Sequence, residues 1–260
     1  MGINPAATIV SGDLSINGPD SDDELAFAAA ALGSLPGQTV SLPGNHDIGD
    51  EPPGQDARQI IDDARLARWD RLVGPDRWCL DFEHWAVLGL NSQLLGSGLA
   101  RENEQNDWLD HELRRASGKN IAVILHKPLF LESASESDAN PSCTVPSARR
   151  PLLDRFQRGG VKLVISGHLH LHRDRNIDGI QYIWAPSTAF IGGENLGGRA
   201  ICGFLLIELA ERNATVELLR PAGLVDINLQ TLKQNGRYAF LRDMPPCRPD
   251  TSAILQQRQI

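Results

Sequence analysis

Short apolar runs alternate along the chain with longer stretches whose apolar residues recur every three or four positions, and this rhythm predicts an α/β protein. The runs at 7–11, 39–42, 78–82, 86–90, 121–125, 161–166, 181–185, 201–209 and 214–219 read as strands. Amphipathic stretches at 22–32, 56–72, 102–115 and 148–158 read as helices. The two strands within 78–90 are close enough to form a hairpin, and beyond Arg173 the chain is strand after strand with few helical stretches. Asp22, Asp23 and Glu24 resemble a cation site in composition, but in the first turn of a helix they complement its dipole.

Two long polar segments interrupt this rhythm, 48–55 with its Pro52-Pro53 pair and 132–146. Loops of that length inside a domain are usually functional or mobile. Residues 221–260 have weak periodicity and a Pro-Pro-Cys-Arg-Pro break, so they read as a surface extension following one domain over 1–220.

The chain has 260 residues, 25 Lys+Arg and 33 Asp+Glu, and a net charge of −8, which excludes a broadly basic nucleic-acid binder. At this size roughly 70% of the unfolded chain's surface is buried on folding, enough for a core without staples. No window reaches the length of a membrane helix, and the first ten residues lack the basic and apolar regions of a secretory signal. Ala6 fails the myristoylation pattern. Cys79, Cys143, Cys202 and Cys247 are scattered without a C-x-x-C pair, which suits reduced thiols in a cytoplasmic protein.

Four segments put polar side chains directly after strands: Ser11-Gly12-Asp13, Gly44-Asn45-His46-Asp47, His126-Lys127-Pro128 and Gly167-His168-Leu169-His170. In open α/β sheets, sites form outside the carboxyl ends of strands. One Asp, one Asn and three His gathered there would be costly to bury without a partner, and a metal cation is the natural one. Their oxygen and imidazole donors suit manganese, iron or zinc, and the lack of thiolates argues against a structural zinc cage.

The order Gly-Asp, Gly-Asn-His-Asp, His, Gly-His-x-His resembles the calcineurin-like metallophosphoesterase family over roughly residues 7–188. The resemblance implies a four-layer α/β/β/α sandwich of two mixed β-sheets flanked by helices, holding two divalent or trivalent ions of Mn, Fe or Zn type. Carried over position by position, Asp13 is the bridging carboxylate and Asn45, His126 and His168 complete one shell. His170 serves the other ion, and His46 stands beside the phosphate as the catalytic residue. Family members also carry an upstream Asp-x-His, whereas residues 1–12 contain neither Asp nor His. The second ion therefore keeps only Asp13 and His170, with one ion the expected occupancy, and the expectation is an incomplete chain with an exposed sheet edge. His172 extends the histidine run but reads as an exposed strand-end residue.

The resemblance implies a metal-dependent phosphoesterase in which a metal-activated hydroxide attacks phosphorus, with His46 assisting the leaving group and Asp47 orienting its loop. The short interval from Asp13 to Asn45 is similar to compact bacterial phosphodiesterases acting on cyclic nucleotides or glycerophosphodiesters. A small phosphoester, with no nucleic acid and no membrane, is then the expected partner; homo-oligomers are compatible with this reading. The segment 132–146 is expected to cover the mouth of the site. The alternative is a non-catalytic, metal-supported binding or scaffold module with a degenerate single-metal site. Lys127 and His111 read as solvent-facing, His84 as structural, and the Gly192-Gly193 to Gly197-Gly198 segment as a loop without a phosphate-binding helix.

Overall fold

The computed structural model describes residues 3–52, 59–192 and 196–228, which fall into two compact units, Asn4–His168 and a second from residue 169 onward. The first unit opens with β1 (Ala7–Val10), α1 (Asp22–Gly33) and β2 (Gln38–Ser41), and β1 pairs in parallel with β2. A single turn of helix, α2 (Asn45–Ile48), and then α3 (Asp63–Leu72) follow. β3 (Trp78–Asp81) and β4 (Trp85–Leu90) form the expected hairpin. After a 3-10 turn at Ser92–Leu94 come α4 (Ala100–Arg115), β5 (Asn120–Leu125), α5 (Pro146–Gly159) and β6 (Val161–Ser166).

β4, β5 and β6 run parallel to one another and β3 runs antiparallel to β4, a mixed sheet in the order β3-β4-β5-β6. All six residues of β4 and five of six in β5 are buried. That explains why Trp-Ala-Val-Leu-Gly-Leu and Ile-Ala-Val-Ile-Leu do not alternate: a strand covered on both faces needs no polar side. A second cluster unites Leu25 of α1, Ile48 of α2, Ile61, Leu66 and Trp69 of α3, and Leu94. Burying an aliphatic or aromatic side chain is worth about 1.5–3 kcal/mol, so this cluster fixes α2, and with it Asn45 and His46, to the unit's interior.

The expected helix 56–72 is shorter than its pattern. Ile60 bridges to Asp50, and Asp62 caps α3 by accepting from Arg65 N at 2.8 Å, so the helix begins at Asp63; residues 56–58 lie outside the described residues. The acidic start of α1 has a wider role than dipole compensation. Asp22 pairs with Arg68 and Arg71 of α3, while the Glu24 carboxylate accepts from Ile16 N and Asn17 N.

In the second unit β7 (Arg173–Ile177) pairs antiparallel with β8 (Ile180–Trp184), and β9 (Phe204–Leu209) with β10 (Ala214–Leu219). Of the expected extension 221–260, residues 221–228 lie against their own unit. Asp226 accepts from Cys202 N and Arg220, and Ile191 N donates to Ile227 O. Residues 229–260, and Gly193, Glu194 and Asn195 of the glycine-rich loop, lie outside the described residues. Among the described residues no helix is long and apolar enough to cross a membrane.

Candidate metal centre

Asp13 follows β1 on a sharply turned backbone, Gly12 at φ 105° and Asp13 at φ 55°. Only glycine suits position 12 on two counts, because a Cβ there would also press on His126 Nδ1 and Gly44 N at 2.5 and 2.8 Å. The turn aims the Asp13 carboxylate at α2, where Oδ1 accepts from His46 N at 3.0 Å. Asn45 and His46 open α2 directly after β2, His126 follows β5, and His168 follows β6 at φ 67°.

These four strand ends converge. His126 Nδ1 lies 2.8 Å from Ser11 O, a carbonyl that can only accept, so Nδ1 carries the proton and Nε2 faces the others. Around Nε2 stand Asn45 Oδ1 at 3.2 Å, Asp13 Oδ2 at 3.3 Å and His168 Nδ1 at 3.2 Å. The donor atoms of Asp13, His126 and His168 all lie within 4.8 Å of one another. Two carbonyl-type oxygens and two ring nitrogens crowded at this range repel unless a positive charge sits among them. A proton on His126 or a cation would relieve this, and the donor set fits a divalent cation of mixed oxygen and nitrogen preference, which Asp13, Asn45, His126 and His168 could hold.

The electrostatics agree. Burial opposes ionisation of Asp13, but the facing His126, then His46 and His168, outweigh it and hold the carboxyl well below its ordinary range. Burial, reinforced by His126, pushes His168 well below 6.5, so its ring is neutral and its lone pair available. Burial lowers His126 as well, but there the Asp13 carboxylate outweighs it and raises the ring's pKa.

Asp47, completely buried, ties the turn after Asp13 to the turn that carries Asn45 and His46. Its carboxylate accepts from Leu14 N at 3.1 Å, Ser15 N at 2.9 Å, Ser15 Oγ at 2.8 Å and Gly44 N at 2.9 Å. Burial and the nearby Asp13 charge push its pKa up to about 6. His46 is half-buried, and its Nδ1 lies 3.1 Å from Ile16 O, so the same logic leaves Nε2 facing outward from that carbonyl.

His170 belongs to the second unit, at φ 55°, with its ring stacked on Phe190 at 6.3 Å between centroids. His172 departs from the exposed position expected: it is half-buried, with Nδ1 3.1 Å from Trp184 O. His111 is solvent-facing as expected, its side chain 66% exposed. His84 sits at the β3-β4 turn, where its carbonyl accepts from Asn120 N.

Lys127 overturns its expected solvent-facing position. It is 1% exposed, and its Nζ is held by Asp50 Oδ1 at 2.5 Å and by both Glu51 oxygens at 2.8 and 2.9 Å. Burial, then the hydrogen bond to Asp50, pushes Glu51 up to about 8, while its bond to Glu51 and the Lys127 charge override burial to lower Asp50. Near neutrality Glu51 thus keeps its proton while Asp50 is ionised beside Lys127. The sequence signal was Asp50-Glu51 standing close behind Asn45, which a polar-loop reading does not single out.

The calcineurin-like phosphoesterase family matches residues 2–172. The chain belongs to this family. It is 28% identical over 202 residues to the bovine (Bos taurus) serine/threonine-protein phosphatase CPPED1, covering 75% of this chain and 61% of that protein. It is also 28% identical over 185 residues to the 3',5'-cyclic-nucleotide phosphodiesterase alr5338 of Nostoc sp., covering 70% and 62%. The chain thus spans somewhat over half the length of these curated relatives. Purple acid phosphatase PPD1 from yellow lupin shares the fold, with a TM-score of 0.56 at 15% identity over 82% of this chain and 44% of that one. This metallophosphoesterase fold agrees with the α/β class read from the sequence.

Proposed function

We propose that the chain is a metal-dependent hydrolase of small phosphodiesters, of the cyclic-nucleotide or glycerophosphodiester type. The observation that carries this reading is the convergence of Asp13, Asn45, His126 and His168 from four strand ends onto one point. The likeness to a cyclic-nucleotide phosphodiesterase supports the diester class, and the likeness to a protein phosphatase keeps monoesters as the rival substrate.

When bound, a divalent ion supplies charge to the phosphoryl oxygens and lowers the pKa of water toward neutrality. The chain's own residues then do the rest. Asp13, Asn45, His126 and His168 fix where the phosphoryl group rests. With Nδ1–H committed to Ile16 O, His46 can deliver a proton from Nε2 to the departing ester oxygen. Its backbone N–H meanwhile keeps Asp13 aimed inward.

The segment 132–146 supports a role in substrate choice. Its base closes two residues after His126, where Thr144 N donates to Pro128 O. Buried Arg149 pins it from below by donating to Leu129 O and Glu136 O, and the Glu136 carboxylate gathers Leu131, Glu132 and Ser133 N–H. The net charge of −8 favours small esters over polyanions, and free Cys79, Cys143 and Cys202 favour a cytoplasmic setting.

The test is hydrolysis of bis(p-nitrophenyl) phosphate by purified protein with Mn2+, against p-nitrophenyl phosphate. Turnover of the diester, abolished by chelation and by Asn45→Ala or His46→Ala, is the expected result. A folded, metal-loaded chain that turns over neither ester would overturn the reading in favour of a metal-supported binding module.

A further inference from the structure

Lys127 is an expensive residue to bury, and its surroundings connect it to three of the four proposed metal ligands. Both polar groups of the peptide joining His126 to Lys127 are taken: Gly167 N donates to His126 O at 2.9 Å, and Lys127 N donates to Ser92 Oγ at 2.9 Å. Gly167 is the residue before His168. From the same peptide the Lys127 side chain reaches Asp50 and Glu51. Those acids follow Gly49, whose N–H donates to Asn45 O at 3.0 Å. Gln93 Nε2 closes the frame, donating to Gly49 O at 3.3 Å and Asp50 Oδ1 at 3.0 Å. The backbone of Asn45, of His126 and of the residue before His168 is therefore fixed to one buried charged network.

We propose that Lys127, anchored by Asp50 and Glu51, is a positioning residue that sets the separation of Asn45 and His126 and so tunes metal affinity. It rests on the metal-dependent reading above. A strut of this kind needs an ion pair rather than an apolar filler, because directional bonds fix a distance where a methyl group only fills space. Groups that orient ligands without touching the metal typically set affinity by roughly 10- to 100-fold.

The decisive variant removes the strut and its charges together, Lys127→Met with Asp50→Asn and Glu51→Gln. It leaves no uncompensated charge, so its thermal midpoint without metal stays near that of the wild type. Mn2+ affinity, read from free-ion electron paramagnetic resonance, should fall about 10-fold or more, and the visible spectrum of the Co2+ form should change. Glu51→Gln alone, which keeps Lys127 and a bond to it, is the control and should leave Mn2+ affinity near that of the wild type. Should the triple variant fold incompletely by circular dichroism, Ser92→Ala, which frees the Lys127 N–H, is measured instead and should weaken Mn2+ binding more than twofold. Affinity within twofold of wild type in the folded variant overturns the proposal, as does a wild-type chain that binds no Mn2+. A wild type that binds Mn2+ yet hydrolyses no ester defeats the hydrolase reading alone and leaves this one standing.

Discussion

Gly44→Ala isolates a single methyl group aimed at the proposed metal site. Gly44 has φ −104° and ψ −179°, extended backbone open to any residue, so the substitution carries no conformational penalty of its own. Space is what is missing. A Cβ there would overlap Asp13 Oδ1 and stand 2.6 Å from Asp13 N and 2.8 Å from Asp13 Cγ, against ordinary contacts of about 3.5–4 Å. Gly44 cannot retreat, because its N–H donates to Asp47 Oδ2 and its carbonyl accepts from Asp47 N and Ile48 N. Asp13 must yield by about 1 Å, at the usual overpacking cost of about 1–3 kcal/mol. Moved that far from a set spaced at 3.2–3.3 Å, the carboxylate should lose about 100-fold in turnover of any metal-dependent reaction. Urea unfolding of the metal-free protein reads the first quantity, and Mn2+-supported diester hydrolysis the second. Gly33→Ala, at the end of α1 with nothing within 4 Å of the added carbon, is the control and should be neutral or stabilising by up to about 1 kcal/mol. If Gly44→Ala matches wild type within about 0.5 kcal/mol and keeps its turnover, the assignment of Asp13 to the site is wrong.

Asp47→Ala should destabilise the unit by about 2 kcal/mol or more, since Leu14, Ser15 and Gly44 N–H lose their acceptor at about 1–3 kcal/mol for each left unpaired; urea unfolding measures it, and an unchanged midpoint would refute the tie between the turns. Glu51 has its folded pKa raised from 4.5 to about 8, so between these values the native state holds a proton the unfolded chain has released. Stability should therefore fall as pH rises through that window, by at most about 1.4 kcal/mol per pH unit. Thermal midpoints from pH 5 to 9 should show this slope in the wild type and a shallower one in Glu51→Gln, where Asp47 and His126, also raised, still contribute.

What could be read from sequence was what hydrophobicity writes. β4, β5 and β6 were legible because burial on both faces leaves unbroken apolar runs, and each proposed ligand stood out by following a strand beside glycine or a polar residue. β7 was not delimited in advance, because Arg-Asp-Arg-Asn-Ile contains one apolar residue and its pairing with β8 is made by backbone. The start of α3 was misplaced because capping by Asp62 decides it, and several acids nearby could equally have capped. Lys127 was misread for a related reason: a charged residue is exposed by default, and only the fold brings it against Asp50 and Glu51. Positive φ at Asp13 and His168 left no mark in the sequence either.

That last feature bears on how the molecule could be engineered. A left-handed backbone at a residue other than glycine costs about 1–2 kcal/mol, and Asp13 and His168 both adopt it. Selection for heat resistance alone, in a library free of metal, would thus reward glycine at those two positions and quietly erase two of the proposed ligands. A campaign to harden this scaffold should hold positions 13 and 168 constant and seek its gains elsewhere.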